Sequence, residues 1–235
     1  MIQILPEKED LEKIDLTPGL GAKLFTFLFT HMLYIFFKIF YNLKVEGKSN
    51  VPGEGPYILY VNHASYFDGV IVAASLPYPL HLDLFFLGLR VFFDFPILRN
   101  LVKVGRIIPL DFCLHPLEAI RSCYYVVQNG KNLCIFPEGM RSLNGTIIEF
   151  KKGFGILAKE SKAKLVPVFL EETHKAWPRT SKFPKLHPVK VKFGKVLDPE
   201  DVEKDGYKSG ARDPYSALLI GARNALINLK EGKAI

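Results

Sequence analysis

Past Lys44 the chain alternates short apolar runs with longer amphipathic stretches, and this rhythm restricts it to an architecture of helices layered on a sheet. Residues 57–61 (Tyr-Ile-Leu-Tyr-Val) carry no polar spacer, which suits a strand covered on both faces. Residues 132–136 and 165–170 read as further buried strands. Residues 189–193 read as an alternating one with Lys190 and Lys192 on its open face. Between them lie predicted helices: one from Asp68 or Gly69 to Leu76, one opened by His115-Pro116 and stopped by Asn129-Gly130, one over 149–160, and one from Asp213-Pro214 to Leu229. Residues 204–212 read as a solvated loop. The expected class is α/β, with a mixed, largely parallel central sheet flanked by helices and loop chemistry at the carboxyl ends of the strands.

Residues 20–43 stand apart. They are nearly all apolar or aromatic, broken by Lys23, His31 and Lys38, and they follow a Thr17-Pro18 pair suited to opening a helix. One continuous helix of this length reaches about 36 Å, enough for a bilayer core of about 30 Å. Aromatic residues mixed with cationic ones favour a helix lying in the membrane interface over one that spans it. A soluble core helix is the third alternative. Glu7, Glu9, Asp10, Glu12 and Asp15 precede the run where a cleavable leader would carry basic residues. The expected organisation is a tail over 1–19, a membrane-associating helical segment over 20–43, and one catalytic domain over 44–235.

A formal charge of +7 favours anionic partners such as a membrane surface, a phosphate-bearing substrate or coenzyme A. Nucleic acid is not expected, because the chain has no zinc-ligand spacing, no RNA-binding signature and no long basic run. No metal is expected either, since His31, His81, His115, His174 and His187 have no neighbours at ligand spacing. Cys113, Cys123 and Cys134 sit in apolar surroundings outside any C-x-x-C pair and read as reduced and buried.

Two stretches carry the chemistry. In Asn62-His63-Ala64-Ser65-Tyr66-Phe67-Asp68, a histidine and an aspartate five positions apart leave the strand over 57–61. On an unbroken helix they would stand about 140° apart, so their meeting requires a turn between them. The carboxylate would then orient the imidazole and leave its other nitrogen as a general base. The second stretch, Phe136-Pro137-Glu138-Gly139-Met140-Arg141-Ser142, leaves another buried strand. Together they resemble the H-x4-D and F-P-E-G-x-R-S blocks of the glycerophospholipid acyltransferase family, in the same order. Gly105-Arg106-Ile107-Ile108-Pro109-Leu110-Asp111 and Leu165-Val166-Pro167-Val168 are similar to two further blocks, so the resemblance runs from about Val45 to Val196. One departure is Phe112 after Asp111, where the family usually has arginine; Arg106 or Lys103 are the candidate substitutes.

The resemblance implies transfer of an acyl group from acyl-CoA or acyl carrier protein to the hydroxyl of lysophosphatidic acid on the cytoplasmic face of a membrane, with no cofactor beyond the donor. His63 and Asp68 would be the catalytic pair, with Glu138, Gly139, Arg141, Ser142 and Arg90 at the acceptor and its phosphate. Guanidinium suits a phosphate oxygen pair by geometry. Alternatives are another lysophospholipid or a hydroxylated lipid as acceptor, a thioesterase using water, a hydrolase using Ser65, and a non-catalytic membrane-binding module. Trp177 is either an interfacial anchor or a packed loop residue.

Overall fold

The computed structural model describes residues 16–89, 105–110 and 116–233. Among them seven strands form one sheet: β1 (Lys44–Glu46), β2 (Tyr57–Val61), β3 (Leu84–Leu89), β4 (Ile107–Leu110), β5 (Asn132–Ile135), β6 (Lys164–Glu171) and β7 (Lys190–Phe193). The order across the sheet is β1-β7-β6-β2-β5-β3-β4. All neighbours run parallel except β6 and β7. The mixed, largely parallel α/β sheet read from the sequence is present. Its helices are α1 (Leu20–Phe40), α2 (Asp68–Ser75), α3 (Pro116–Gln128), α4 (Lys152–Ser161), α5 (Thr173–Ala176), α6 (Pro199–Lys208) and α7 (Pro214–Glu231).

β2 is buried along its whole length because both faces of the sheet are covered. Ile58 and Tyr60 enter an apolar cluster with Val126 of α3, Phe154 of α4 and Leu218 of α7. Tyr57, Leu59 and Val61 enter a second cluster with Phe37 of α1, Ile71 of α2 and Val191 of β7. Complete burial of each such side chain contributes about 1.5–3 kcal/mol, so β2 is firmly anchored and a rigid base for whatever follows it.

The sequence placed α4 three residues too early. Residues 147–150 stay outside the helix, since the Ile148 N–H donates to Glu138 Oε2 (3.2 Å) and the Lys151 N–H donates to the Pro137 carbonyl (2.8 Å). The predicted loop over 204–212 is corrected: its first part belongs to α6, which ends at Lys208. α6 is polar, with ion pairs Asp201–Lys204 (2.9 Å) and Asp205–Lys208 (2.8 Å) on its open side. Its glycine is a contact device: a Cβ at Gly206 would lie 1.9 Å from the Ala217 carbonyl oxygen of α7.

α1 divides into two stripes. Thr30 and Phe37 are buried and Thr26 and Leu33 partly so, facing the domain, whereas Leu20, Leu24, Leu28, Met32, Ile35 and Ile39 form an exposed apolar ridge at steps of three and four residues. α1 is the one described helix long and apolar enough to cross a membrane.

Candidate active site

β2 releases the chain at Asn62. Its side-chain amide donates to the Leu170 carbonyl (3.0 Å) and accepts from the Leu170 N–H (2.7 Å), so it takes the place of backbone in the pairing with β6. The chain then turns out of the sheet plane at the carboxyl end of β2. Asp68, at the start of α2, closes that turn: Oδ2 accepts from the Ala64 N–H (2.6 Å), the Ser65 N–H (2.7 Å) and His63 Nδ1 (2.8 Å). The turn required between the two residues is the one that brings them together. Three donors thus converge on one buried oxygen, at the positive end of a helix. A carboxylate only accepts, so Nδ1 carries the ring hydrogen and Nε2 keeps its lone pair. The His63 side chain is 23% exposed and has no partner at Nε2 among the described residues.

The second stretch leaves β5, the strand beside β2. Residues 136–139 form a turn closed by the Gly139 N–H on the Phe136 carbonyl (3.0 Å), with Pro137 at its second position and Gly139 at φ +68°, a conformation that favours glycine. Two hydrogen bonds join this turn to the histidine. The His63 N–H donates to Glu138 Oε1 (2.9 Å), and the Ser142 N–H donates to the His63 carbonyl (2.7 Å). The Phe136 ring lies against the imidazole, centroids 4.2 Å apart and 23° from parallel. Arg141 places its guanidinium 3.6 Å from the centre of the Tyr66 ring, on the same turn as His63.

Glu138 has a different setting from the acceptor contact expected of it. It is fully buried, and its two oxygens hold the N–H groups of His63 and Ile148. Burial pushes its carboxyl up to about 7, against the pull of those two N–H groups; the nearby Asp68 adds to the rise and Arg223 opposes it. Arg223, on α7, completes this support. Its Nε donates to the Ile148 carbonyl (3.3 Å) and its Nη2 to the Ile147 carbonyl (3.2 Å). Arg223 was not found from the sequence, and nothing in its neighbourhood there marks it, since its partners lie 75 and 76 positions away. Replacing Arg223 by methionine is expected to cost about 1–3 kcal/mol in urea unfolding, because two carbonyls lose charged donors.

The remaining candidates divide. Gly139 commits its N–H to its own turn, and Ser142 accepts from the Gly145 N–H (3.0 Å) through its hydroxyl. Arg90, Lys103, Phe112, Cys113 and His115 lie outside the described residues. Arg106 is buried beneath the sheet, 4.8 Å from the centre of the Phe85 ring, at the amino end of β4 and so at the opposite end from His63. Ser65 is fully buried; its hydroxyl donates to the Trp177 carbonyl (3.0 Å) and accepts from the Phe67 N–H (3.2 Å), which makes it a brace of the turn. Trp177 is a packed residue, with its ring against Tyr66 and Phe67 at 5.1 and 4.9 Å. Cys123 and Cys134 are free and buried. Among the described residues no three His, Cys, Asp or Glu side chains cluster to hold a metal ion.

A buried carboxylate, an imidazole with one free nitrogen and a guanidinium brought in from the neighbouring turn can together deprotonate a hydroxyl and hold an anion. The chain is similar to several known proteins. The 1-acyl-sn-glycerol-3-phosphate acyltransferase of Limnanthes douglasii is 30% identical over 191 residues, which cover 78% of this chain and 66% of that protein. Its namesake in Limnanthes alba is 28% identical over 198 residues, covering 81% and 68%, and that of Cocos nucifera is 29% identical over 176 residues, covering 69% and 52%. The chain thus spans between about half and about two thirds of the length of these relatives. In fold it is similar to the crystal structure of the 1-acyl-sn-glycerophosphate (LPA) acyltransferase PlsC from Thermotoga maritima, with a TM-score of 0.69 at 20% identity, over 89% of this chain and 82% of that one. Residues 42–171 match the sequence profile of the acyltransferases, a stretch that holds both turns of the site and ends with β6; the chain belongs to the acyltransferase family.

Proposed function

We propose that this chain transfers a fatty acyl group from a thioester, acyl-CoA or acyl-acyl carrier protein, to the free hydroxyl of lysophosphatidic acid, giving phosphatidic acid. The observation that carries this reading is the His63–Asp68 pair, 2.8 Å apart with Nε2 open, beside the Arg141 guanidinium. Relatives named for that activity support it.

In the proposed reaction His63 Nε2 takes the hydroxyl proton as the acceptor oxygen attacks the thioester carbonyl. Asp68 holds the ring and balances the imidazolium. The tetrahedral intermediate collapses with loss of the C–S bond, and the imidazolium returns its proton to the departing sulfur. The products are an ester and a free thiol, and no acyl-enzyme is needed. The Met140 and Arg141 N–H groups have no partner among the described residues, which leaves them as candidate donors to the oxyanion. Arg141, together with Arg90, holds the acceptor phosphate. Glu138 acts through the backbone of His63.

The exposed ridge of α1 supports attachment to a membrane, on the cytoplasmic face from which the donor would come. Its other stripe is packed along the domain, so α1 lying in the interface buries the ridge without detaching the helix.

The test is incubation of the purified chain with a labelled acyl donor and a panel of lysolipids, followed by mass spectrometry. A new ester of lysophosphatidic acid is the expected product. Esterification of a different lysolipid would reassign the acceptor, and free fatty acid alone would overturn transfer in favour of hydrolysis. Arg141→Ala is expected to raise the acceptor KM by roughly ten- to a hundredfold while leaving the donor KM within about twofold, in line with about 1.5–3 kcal/mol for a charged hydrogen bond. Unchanged acceptor KM would remove the phosphate role.

A further inference from the structure

α1 is not the only apolar surface that the fold leaves in water. The loop over 178–188, between α5 and β7, exposes Phe183 at 76% and Leu186 at 72%. It is an ordered loop. The Trp177 indole N–H donates to the Ser181 carbonyl (3.2 Å), the Ser181 hydroxyl to the Phe183 carbonyl (2.8 Å), and the Lys185 N–H to the Ala176 carbonyl (2.7 Å). Both apolar side chains are therefore presented outward by a braced backbone. Arg179, Lys182 and Lys185 alternate with them, exposed and without an acidic partner among the described residues. No Asp or Glu occurs between Glu172 and Asp198.

The position of the loop matters as much as its composition. Trp177 at its root meets Phe67 edge-on at 4.9 Å, and Phe67 in turn meets Phe37 and Tyr41 at the end of α1, each 5.3 Å away. Arg179 donates to the Arg141 carbonyl (3.4 Å), so the loop also borders the turn that carries Arg141. Tyr66, Met140 and Leu143 are exposed along the same border. A protein partner would need acidic groups to match three unpaired cations; an anionic lipid surface supplies phosphates and an apolar layer together.

We propose that this loop is a second membrane contact, with Phe183 and Leu186 entering the edge of the acyl-chain layer of an anionic phospholipid surface and Arg179, Lys182 and Lys185 on its phosphates. The inference rests on the reading of α1 as membrane-attached. It sets the mouth of the His63 site at headgroup depth, where a lipid hydroxyl lies.

The test uses the whole chain with vesicles of phosphatidylcholine, alone and mixed with phosphatidylglycerol. Phe183→Ser combined with Leu186→Ser is expected to weaken partition into the mixed vesicles at least about tenfold. Lys182→Gln combined with Lys185→Gln should remove most of the preference for the mixed vesicles, roughly fivefold per lysine. Thermal unfolding should be unchanged in both, and turnover of a short-chain acceptor in solution should match the parent while turnover of a vesicle-borne acceptor falls. Parent binding with unaltered partition of the variants overturns the loop assignment and spares α1. A parent chain that binds neither vesicle overturns both. Dimerisation abolished by the same substitutions, with vesicle binding intact, would assign the patch to a second copy of the chain and overturn the proposal.

Discussion

His63→Ala is expected to lower the acyl-transfer rate by about a thousand- to ten-thousandfold, near the upper end of what a positioned general base contributes. The size follows from the substrate: a lipid hydroxyl is almost fully protonated at neutral pH, so without Nε2 its proton must leave to water during attack. The fold should be preserved. The hydrogen bonds from His63 to Glu138 and Ser142 are made by its backbone, and what is lost is the stack on Phe136 and the bond to Asp68. Urea unfolding within about 1 kcal/mol of the parent, with unaltered vesicle binding, would show that the rate loss is chemical. Partial recovery by added imidazole would support the base role further. Asp68→Asn is expected to cost about a hundred- to ten-thousandfold, because an amide nitrogen turned to Nδ1 would force the wrong tautomer. A His63→Ala protein that retains more than a tenth of the parent rate would refute the proposed mechanism.

The second large effect belongs to Glu138, and it is one of stability and pH. Glu138→Ala leaves the N–H groups of His63 and Ile148 without their acceptors and empties a buried site, at an expected cost of roughly 3–5 kcal/mol. The parent should also show a titration that the glutamine variant lacks. Burial raises the Glu138 carboxyl from its ordinary 4.5 to about 7, so the folded state binds a proton in that interval that the unfolded state has released. Stability from this source is therefore complete below about 4.5, falls as pH rises towards 7, and changes no further above it; the total is about 3 kcal/mol. Subtracting the urea-unfolding profile of Glu138→Gln from that of the parent isolates this group. A difference that stays flat from pH 4.5 to 7 would refute the assignment.

The two turns differ in how far they could be read from the chain alone. His63 and Asp68 are five residues apart, and local backbone geometry is enough to join them once a turn is admitted. Arg141 falls beside Tyr66 because its own turn leaves the adjacent strand. Glu138 shows where reading by motif stops: its place in the block suggested the acceptor, yet its oxygens are 75 positions from the His63 N–H and 10 from that of Ile148 in sequence, and they reach both only when β2 and β5 are neighbours. Arg106 fails as a stand-in phosphate ligand for a similar reason. It precedes its strand, and in a parallel run of strands that places it at the far end from groups that follow theirs.

The amino-acid sequence by itself determined most of the periodic elements, the apolar run that becomes α1, the need for a turn between His63 and Asp68 and the likeness to a family of acyltransferases, because each is written in short stretches of neighbouring residues. Tertiary structure alone decided the strand order that seats Glu138 under His63, the reach of Arg223 from α7 to residues 147 and 148, and the packing of α6 through Gly206. Those contacts join atoms far apart along the chain, and the periodicity of side chains carries no record of which strand lies next to which.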